Sequence, residues 1–364
     1  MRIAKLDGLR GIFCIMIFLF HYQQITFSFG KIIPDVVINH FFIRESYIFV
    51  DFFFVLSGFV ISYNYNKLYS IKDFTNFIKK RFIRLYPLVL FTVLLVVCFE
   101  VIAKICFPHL CLHTDPFSHI FIKILDTLCF SNSTPILGTT HGINDPTWSI
   151  SAEMISYIIF GLLSLYPIGK RKTLLFSIII LLSVLFSIYN QAFFTFSDYG
   201  FVRGVLSFYV GYFVWKMSQK AYKFHNKLEY GIPIILILLF YWIHYLSGIT
   251  KQMVSMIAIP TFFGTSLFLL VKSDGILSKF LITKPVQYLG KISFSIYLNH
   301  YLMIRVIPLI MFRWIQIPQN TFSEVIVFGI TIFITILYSI ITYRYVELRG
   351  GNFLRKRTSI VKVL

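Results

Sequence analysis

The chain has 364 residues, of which 57% are hydrophobic and 19% aromatic, while only 13% are charged. A water-soluble globule needs more polar surface than this composition supplies, so the bilayer is the expected solvent. The net charge of +19 does not indicate a nucleic-acid partner, because the basic residues lie in short clusters between apolar runs, as topology signals do.

Ten apolar runs along the chain are long enough to cross a hydrocarbon core of ~30 Å, which takes roughly 20 helical residues. They lie near residues 9–29, 46–65, 85–107, 147–167, 173–191, 200–217, 231–248, 252–271, 288–312 and 324–345. With the N-terminus placed inside, most of the 34 Lys and Arg residues fall in cytoplasmic loops. The sequence therefore predicts an all-α, polytopic membrane protein with about ten transmembrane helices and both termini in the cytoplasm.

The remaining segments indicate a single membrane domain. The first run carries Arg10 and His21 and lacks a small-residue cleavage site, so it is a transmembrane helix rather than a removed signal peptide. In the longest outer connection, residues 117–130 have apolar side chains at helical spacing, which predicts an interfacial helix. No long segment follows the tenth run, so the domain is expected to occupy residues 1–350, with a short basic cytoplasmic tail at 351–364.

The five cysteines show no C-x-x-C spacing. A group of four ligand-type side chains matches no common zinc pattern, and a loop at a helix end is the favoured interpretation; it comprises Cys106, His109, Cys111 and His113. We therefore expect no metal site. A disulfide between Cys111 and Cys129 in the outer loop is an alternative that the spacing leaves open.

Ionisable side chains recur inside the predicted spans, where each costs at least ~2.5 to 3.5 kcal/mol and is therefore a functional candidate. In the first helix, Arg10 and His21 are eleven residues apart, which puts both on one face with a rise of ~16 Å between them. A lone histidine here is more often a buried residue bonded to a neighbouring helix. Asp51 in the second span and Glu153 in the fourth approach the depth of His21.

The fourth and ninth spans add further polar groups. Ser149, Glu153 and Tyr157 are spaced i, i+4 and i+8 along one helical face, and the ninth span carries His300 to mid-membrane depth. Two histidines and two carboxylates that converge in this way can perform general acid and base chemistry, in which a carboxylate fixes the imidazole tautomer. The same group equally suits the proton relay of a transporter. A purely structural scaffold would leave these residues without a purpose.

The cytoplasmic entrance to the third span points to an anionic donor. Arg81 and Arg84 share a helical face and present planar donor forks that suit phosphate oxygens. Topology alone also demands basic residues at this position. The Arg-x-x-Arg spacing ahead of Leu85-Tyr-Pro87 is nevertheless more particular than topology requires.

Six segments, in order along the chain, resemble the motifs of acyltransferase family three, the membrane O-acyltransferases that commonly acetylate sugars of lipopolysaccharide, exopolysaccharide or peptidoglycan. They are Leu6-Asp-Gly-Leu-Arg10-Gly with His21, Val50-Asp-Phe-Phe-Phe-Val-Leu-Ser-Gly58-Phe, Arg81-x-x-Arg84-Leu-Tyr-Pro87, Trp148-Ser-x-Ser-x-Glu153 with Tyr157, Gly290-Lys-Ile-Ser-Phe-Ser-Ile-Tyr-Leu-x-His300, and Tyr343-x-x-Val-Glu347. The chain departs from the family in two places: Asn299 stands where an aromatic residue usually precedes the histidine, and the turn after Glu347 lacks its usual proline.

The resemblance implies a ten-helix core in a bacterial inner membrane and an acyl-coenzyme A donor, with acetyl-coenzyme A expected. It also implies a hydroxyl-bearing acceptor, either a surface glycan such as O-antigen, capsule or exopolysaccharide, or its lipid-linked precursor. Some family members act on antibiotics and other small molecules, so the acceptor stays open. No hydrolase-like domain follows residue 350, so transfer is expected to finish within the membrane domain or with a partner protein.

The resemblance also assigns roles to single residues. Arg10, Arg81 and Arg84 are expected to bind the donor. His21 is expected to be the catalytic base or an acyl relay, with Asp51 or Glu153 supporting it. The other supporting residues are Ser149, Ser151, Tyr157, His300 and Glu347.

Overall fold

The computed structural model describes residues 3–26, 40–65, 67–106, 116–138, 142–165 and 171–358. Within these ranges the protein is helical, and its only β contact is an isolated bridge between Leu68 and Leu165. The α-helices are α1 (Ala4–Thr26), α2 (Phe41–Arg44), α3 (Phe49–Asn64), α4 (Ile71–Cys106), α5 (Phe117–Leu128), α6 (Thr147–Leu163), α7 (Lys172–Tyr189), α8 (Gly200–Ser218), α9 (Gly231–Tyr245), α10 (Gly248–Lys272), α11 (Ile276–Leu281), α12 (Lys284–Leu309), α13 (Thr321–Thr342) and α14 (Arg349–Arg357).

Short helical segments of other kinds extend these elements. Two 3₁₀ turns, Ser46–Ile48 and Asn226–Tyr230, lead into α3 and α9. Two π-helical segments, Ile310–Trp314 and Tyr343–Leu348, follow α12 and α13. The second of these carries Glu347 and continues into α14, so the predicted domain boundary at residue 350 falls within a continuous helical run that ends at Arg357.

Helices occupy the positions of all ten predicted spans in the described part of the chain. Seven are long and apolar enough to cross a membrane, which makes the chain a multi-pass membrane protein; they are Phe41–Asn64, Ile71–Ile105, Lys172–Tyr189, Asn226–Tyr245, Gly248–Lys272, Lys284–Trp314 and Thr321–Arg357. Helix α6 is apolar but only 17 residues long. Polar residues lower the mean hydropathy of α1 and α8. The count of ten and the cytoplasmic side of both termini therefore stay predictions.

Two helices differ from a simple spanning rod. Helix α4 begins at Ile71 and has 36 residues, a length of about 54 Å at 1.5 Å per residue, which exceeds a hydrocarbon core of ~30 Å. Its first turns, including the Arg-x-x-Arg segment, are therefore part of the helix rather than a loop before it. Helix α5 confirms the helix predicted from residue 117; Phe117, Phe121 and Leu125 are exposed, whereas Lys123 and Asp126 are buried. An interfacial position fits this reversal.

Close glycine contacts fix the crossing of α1 with α12. A Cβ added to Gly11 would lie 2.6 Å from the backbone nitrogen of Gly290, and one added to Gly290 would lie 2.1 Å from the carbonyl oxygen of Asp7. The two helices run parallel, since the contact of Cys14 with Ser293 and that of His21 with His300 both join residues 279 apart. Small residues at a crossing let helix backbones approach closely in a membrane, and here they set the register of the two histidines.

A second glycine crossing joins α3 to α8. A Cβ at Gly58 would lie 1.8 Å from the carbonyl oxygen of Phe208, and one at Gly211 would lie 2.0 Å from that of Val55. These helices are also parallel, which is the relation expected of the second and sixth of ten alternating spans. The crossing brings the start of α3 against the start of α8, where Asp51 of α3 and Arg203 of α8 form a buried ion pair.

The predicted cysteine chemistry lies mostly outside the described residues. His109, Cys111 and His113 lie outside the described residues. Cys111 is also one half of the disulfide with Cys129 that the sequence left open. The thiol of Cys129 is free.

Candidate active site

Three cavities follow one another along α1. The N-terminal cavity is lined by Ile3, Leu6, Asp7, Arg10, Leu56, Phe59, Val60, Tyr63 and Asn64. The arginine cavity shares Arg10 with it and adds, among others, Arg81, Arg84, Ser57, Ser149, Glu153, Tyr157, Val50 and Tyr297. The histidine cavity shares Val50 and Tyr297 with the arginine cavity and is also lined by Phe20, His21, Gln24, Tyr47, Asp145, Trp148, Phe194, Phe196 and Arg203.

The two larger cavities have the size of ligand sites. The arginine cavity contains about 770 Å³ of empty space and the histidine cavity about 900 Å³, their open mouths included. Pockets for small molecules and cofactors usually measure ~300 to 1,000 Å³. Because Arg10 and His21 lie ~16 Å apart along one helix, α1 runs beside both cavities and links them.

The arginine cavity offers guanidinium groups that are incompletely bonded. The Nη2 atom of Arg81 donates to the hydroxyl of Tyr65 over 3.1 Å, but its buried Nε has no acceptor among the described residues. Arg84 has no hydrogen bond, ion pair or ring contact in that part of the chain. Arg10 approaches Asp7 at 3.7 Å. The structure thus brings together the three arginines predicted to bind the donor, and their unused N–H groups suit phosphate oxygens.

Glu153 lies in the arginine cavity and not beside His21. Its Oε1 atom accepts a hydrogen bond from Ser57 over 2.5 Å and another from Tyr157, and the hydroxyls of Ser57 and Tyr157 are 2.8 Å apart. Glu153 and Tyr157 thus lie on one face of α6, as their spacing predicts, and are hydrogen-bonded to each other, but the pair does not orient the histidine. Sequence reasoning missed Ser57, whose signal was a hydroxyl within the apolar run of α3.

His21 and His300 contact each other through their ring nitrogens. The Nδ1 atom of His300 lies 3.2 Å from the carbonyl oxygen of Ile296, and a carbonyl only accepts, so this Nδ1 carries the proton and Nε2 of His300 is the acceptor. The Nδ1 atom of His21 lies 3.0 Å from that Nε2 and 3.1 Å from the carbonyl oxygen of Ile17, and it therefore donates. In neutral His21 the Nε2 atom is left as a lone pair on a side chain that lines the histidine cavity.

Asp51 has a different partner from the one expected. Its carboxylate is fully buried and forms an ion pair with Arg203, in which Nη2 and Oδ2 are 2.6 Å apart, and Ser207 donates to Oδ1 over 3.0 Å. The structure therefore does not place Asp51 as the residue that orients His21; His300 has that position. The sequence analysis did not identify Arg203, although a lone arginine within the apolar helix α8 is itself a signal of function.

The remaining predicted supporting residues divide between the cavities and the packing of the fold. Ser149 lines the arginine cavity and bonds the Tyr297 hydroxyl at 2.7 Å, where the two cavities meet. Ser151 is fully buried and lines none of the three cavities; it donates to the carbonyl oxygen of Phe130 over 2.5 Å and anchors the segment after α5. Glu347 accepts a hydrogen bond from Ser295 over 2.9 Å.

No metal site is apparent in the ranges that the structure describes, where His, Cys, Asp and Glu side chains form no group of three or more that could hold an ion. The site is thus built from guanidinium groups, hydroxyls, carboxylates and an imidazole pair.

Comparison with known proteins gives a family match and named relatives. The family model described as "Acyltransferase domain" matches residues 3–344. The O-acetyltransferase OatA of Staphylococcus aureus is 27% identical to the chain over 370 aligned residues, which include 94% of this chain and 56% of that protein. The chain thus spans about half the length of this curated relative. No solved structure gives a significant match.

A second relative matches over a shorter stretch. Acyltransferase MdmB of Streptomyces mycarofaciens is 30% identical over 162 residues, which include 44% of this chain and 39% of that protein.

Proposed function

The chain belongs to acyltransferase family three, and from this premise we propose that it is an acyl-coenzyme A dependent O-acyltransferase of the bacterial inner membrane. It transfers an acetyl group to a sugar hydroxyl of a surface polysaccharide, such as O-antigen, capsule or exopolysaccharide, or of its lipid-linked precursor. The observation that carries the proposal is the Nε2 lone pair of His21 in a cavity that adjoins one with three guanidinium groups.

The donor is expected to enter through the N-terminal and arginine cavities. Phosphate oxygens of coenzyme A accept hydrogen bonds from Arg10, Arg81 and Arg84, which line the arginine cavity; the buried Nε of Arg81 has no acceptor among the described residues. The extended thioester arm then runs along α1 past Val50 and Tyr297, which line both the arginine and the histidine cavities. Three clustered cations repel one another, and Glu153 beside them lowers that repulsion.

The reaction at His21 is an acyl transfer with general base catalysis. The Nε2 atom takes the proton of the acceptor hydroxyl, whose oxygen attacks the thioester carbonyl. The carbon–sulfur bond breaks, an oxygen ester forms, and the protonated imidazole returns its proton to the departing sulfur of coenzyme A. His300 keeps the His21 proton on Nδ1, so that Nε2 is the free base.

The alternative of a proton-coupled transporter uses the same buried residues as a relay. The family assignment and the relatives named as acyltransferases favour group transfer over transport. The two functions make opposite predictions in a cell-free assay. Acetylation by purified protein needs an acyl donor and no proton gradient, whereas transport needs the gradient and no donor.

The test is mass spectrometry of surface glycans from cells with the gene, without it, and with the variant His21→Ala. We expect the loss of an acetyl-sized mass both in the deletion and in His21→Ala. The matched control is His225→Ala, which removes an exposed histidine that lines none of the cavities and should leave acetylation intact. Normal acetylation in His21→Ala at equal protein level would remove His21 from the reaction, and glycans unchanged by deletion would refute the proposed acceptor.

A further inference from the structure

The histidine cavity contains a buried arginine that the proposed transfer does not use. Arg203 is 3% exposed and its partner Asp51 is 0% exposed. A buried ion pair costs several kcal/mol of desolvation per ion, so it is weak evidence for stability. The side chain of Arg203 lines the same cavity as His21. Its hydrogen bonds show which of its N–H groups are free to bind a ligand.

Three of the five N–H groups of Arg203 are committed to the protein. Its Nε donates to the two oxygens of Asp51 over 3.1 and 3.2 Å. Its Nη2 donates to Oδ2 of Asp51 over 2.6 Å and to the carbonyl oxygen of Tyr47 over 3.4 Å. The Nη1 atom has no partner among the described residues, so its two N–H groups are available to a ligand.

The guanidinium group is fixed before any ligand arrives. Its central carbon lies 5.5 Å from the ring centroid of Trp148, 5.6 Å from that of Phe193 and 5.1 Å from that of Phe194. These aromatic rings confine the plane, and the Asp51 carboxylate confines the edge that carries Nε and Nη2. A donor held in this way loses little conformational entropy when it bonds a ligand.

The composition of the cavity defines the ligand. Asp51 neutralises Arg203, so the site does not select an anion by net charge and suits a neutral oxygen acceptor. Six aromatic side chains line the same cavity, with the carboxylate of Asp145 and the amide of Gln24 as polar groups; they are Phe20, Tyr47, Trp148, Phe194, Phe196 and Tyr297. Apolar ring faces together with a few fixed polar groups match a polyol ring, which has C–H faces and hydroxyl edges.

We infer that Arg203, held by Asp51, is an acceptor-binding residue whose Nη1 donates to a neutral hydroxyl or ring oxygen of the polyol acceptor and so positions another hydroxyl at His21. This inference rests on the proposed O-acyltransferase function. It assigns Asp51 a positioning role through Arg203 rather than through the histidine.

The test compares acceptor and donor kinetics of detergent-purified protein. The acceptor probe is surface glycan isolated from cells that lack the gene, and the donor is labelled acetyl-coenzyme A. The variant Arg203→Lys keeps a cation for Asp51 but loses Nη1. We expect KM for the glycan to rise about ten- to a hundredfold, the effect of one lost hydrogen bond from a charged donor. KM for acetyl-coenzyme A and the slow hydrolysis of the donor without glycan should not change.

A paired substitution and a matched control separate binding from folding. Asp51→Leu with Arg203→Met removes both charges, leaves none unpaired and is expected to show the same rise in acceptor KM. The control is Glu229→Leu, since the buried carboxylate of Glu229 accepts hydrogen bonds from Ser273, Gly275 and Ser278 and lines none of the three cavities. It should lower Tm without changing acceptor KM.

Several outcomes would overturn the inference. Unchanged acceptor KM in both Arg203 variants would do so, as would an equal rise in the Glu229→Leu control. An equal fall in glycan transfer and donor hydrolysis would assign Arg203 to the reacting carbonyl instead of the acceptor. If the wild-type protein does not acetylate the glycan at all, the proposed function is refuted, and the inference about Arg203, which rests on it, is refuted as well.

Discussion

The hydrogen bond between the two histidines leads to a quantitative prediction for the variant His300→Phe. Phenylalanine fills the ring volume beside Phe18 and Tyr297 but removes the acceptor of the His21 Nδ1 proton. A neutral hydrogen bond is worth about 0.5 to 1.5 kcal/mol, which corresponds to a roughly two- to thirteenfold change in rate.

The structure limits the loss to this range because His21 has a second acceptor. The carbonyl oxygen of Ile17 lies 3.1 Å from Nδ1 and continues to favour the proton on that nitrogen. Complete loss of the correct tautomer is far more costly, about 10⁴-fold in a serine-protease triad whose orienting carboxylate is replaced by an amide. We therefore expect His300→Phe to lower kcat about tenfold and to leave donor KM unchanged.

The assay follows transfer of labelled acetyl groups from acetyl-coenzyme A to surface glycan by purified protein. His300→Gln is the matched control, because its side-chain carbonyl can still accept from Nδ1, and it should lose less activity than His300→Phe. A loss as large as that of His21→Ala would show that His300 itself reacts. An unchanged kcat would show that the contact between the histidines plays no part in transfer.

Two further predictions concern the donor site and the packing. Arg84→Gln should raise donor KM about ten- to a hundredfold, because a charged hydrogen bond to phosphate is worth about 1.5 to 3 kcal/mol. Lys79→Gln, an exposed change on the same helix, is its control, and equal effects of the two would refute a phosphate contact. Gly211→Ala should destabilise the protein by at least about 1 to 3 kcal/mol and lower its Tm, because the added carbon would lie 2.0 Å from the carbonyl oxygen of Val55. Gly329→Ala meets no atom within 4 Å and should leave Tm unchanged or slightly raised; a Gly211→Ala protein of wild-type Tm would refute the close crossing.

Local sequence was enough for the features that depend on short-range spacing. The apolar runs predicted helices at all ten positions, because membrane burial demands continuous apolar length and satisfied backbone groups. The eleven-residue interval between Arg10 and His21 predicted a shared helical face, and the Arg-x-x-Arg spacing predicted a pair of donors on α4. Motifs in order along the chain also identified the family, which the match over residues 3–344 confirms.

Tertiary structure decided which of these residues are partners. The sequence offered Asp51 and Glu153 as supports for His21, whereas the structure pairs them with Arg203 and with Ser57 and Tyr157. A contact such as that of His21 with His300 joins residues 279 apart. The register that brings the two histidines together depends on how closely the glycine-bearing faces of two helices approach. The helical periodicity of one segment gives no information about that distance. The sequence therefore indicated the chemistry of the predicted residues, whereas their partners were decided only by the packing between helices.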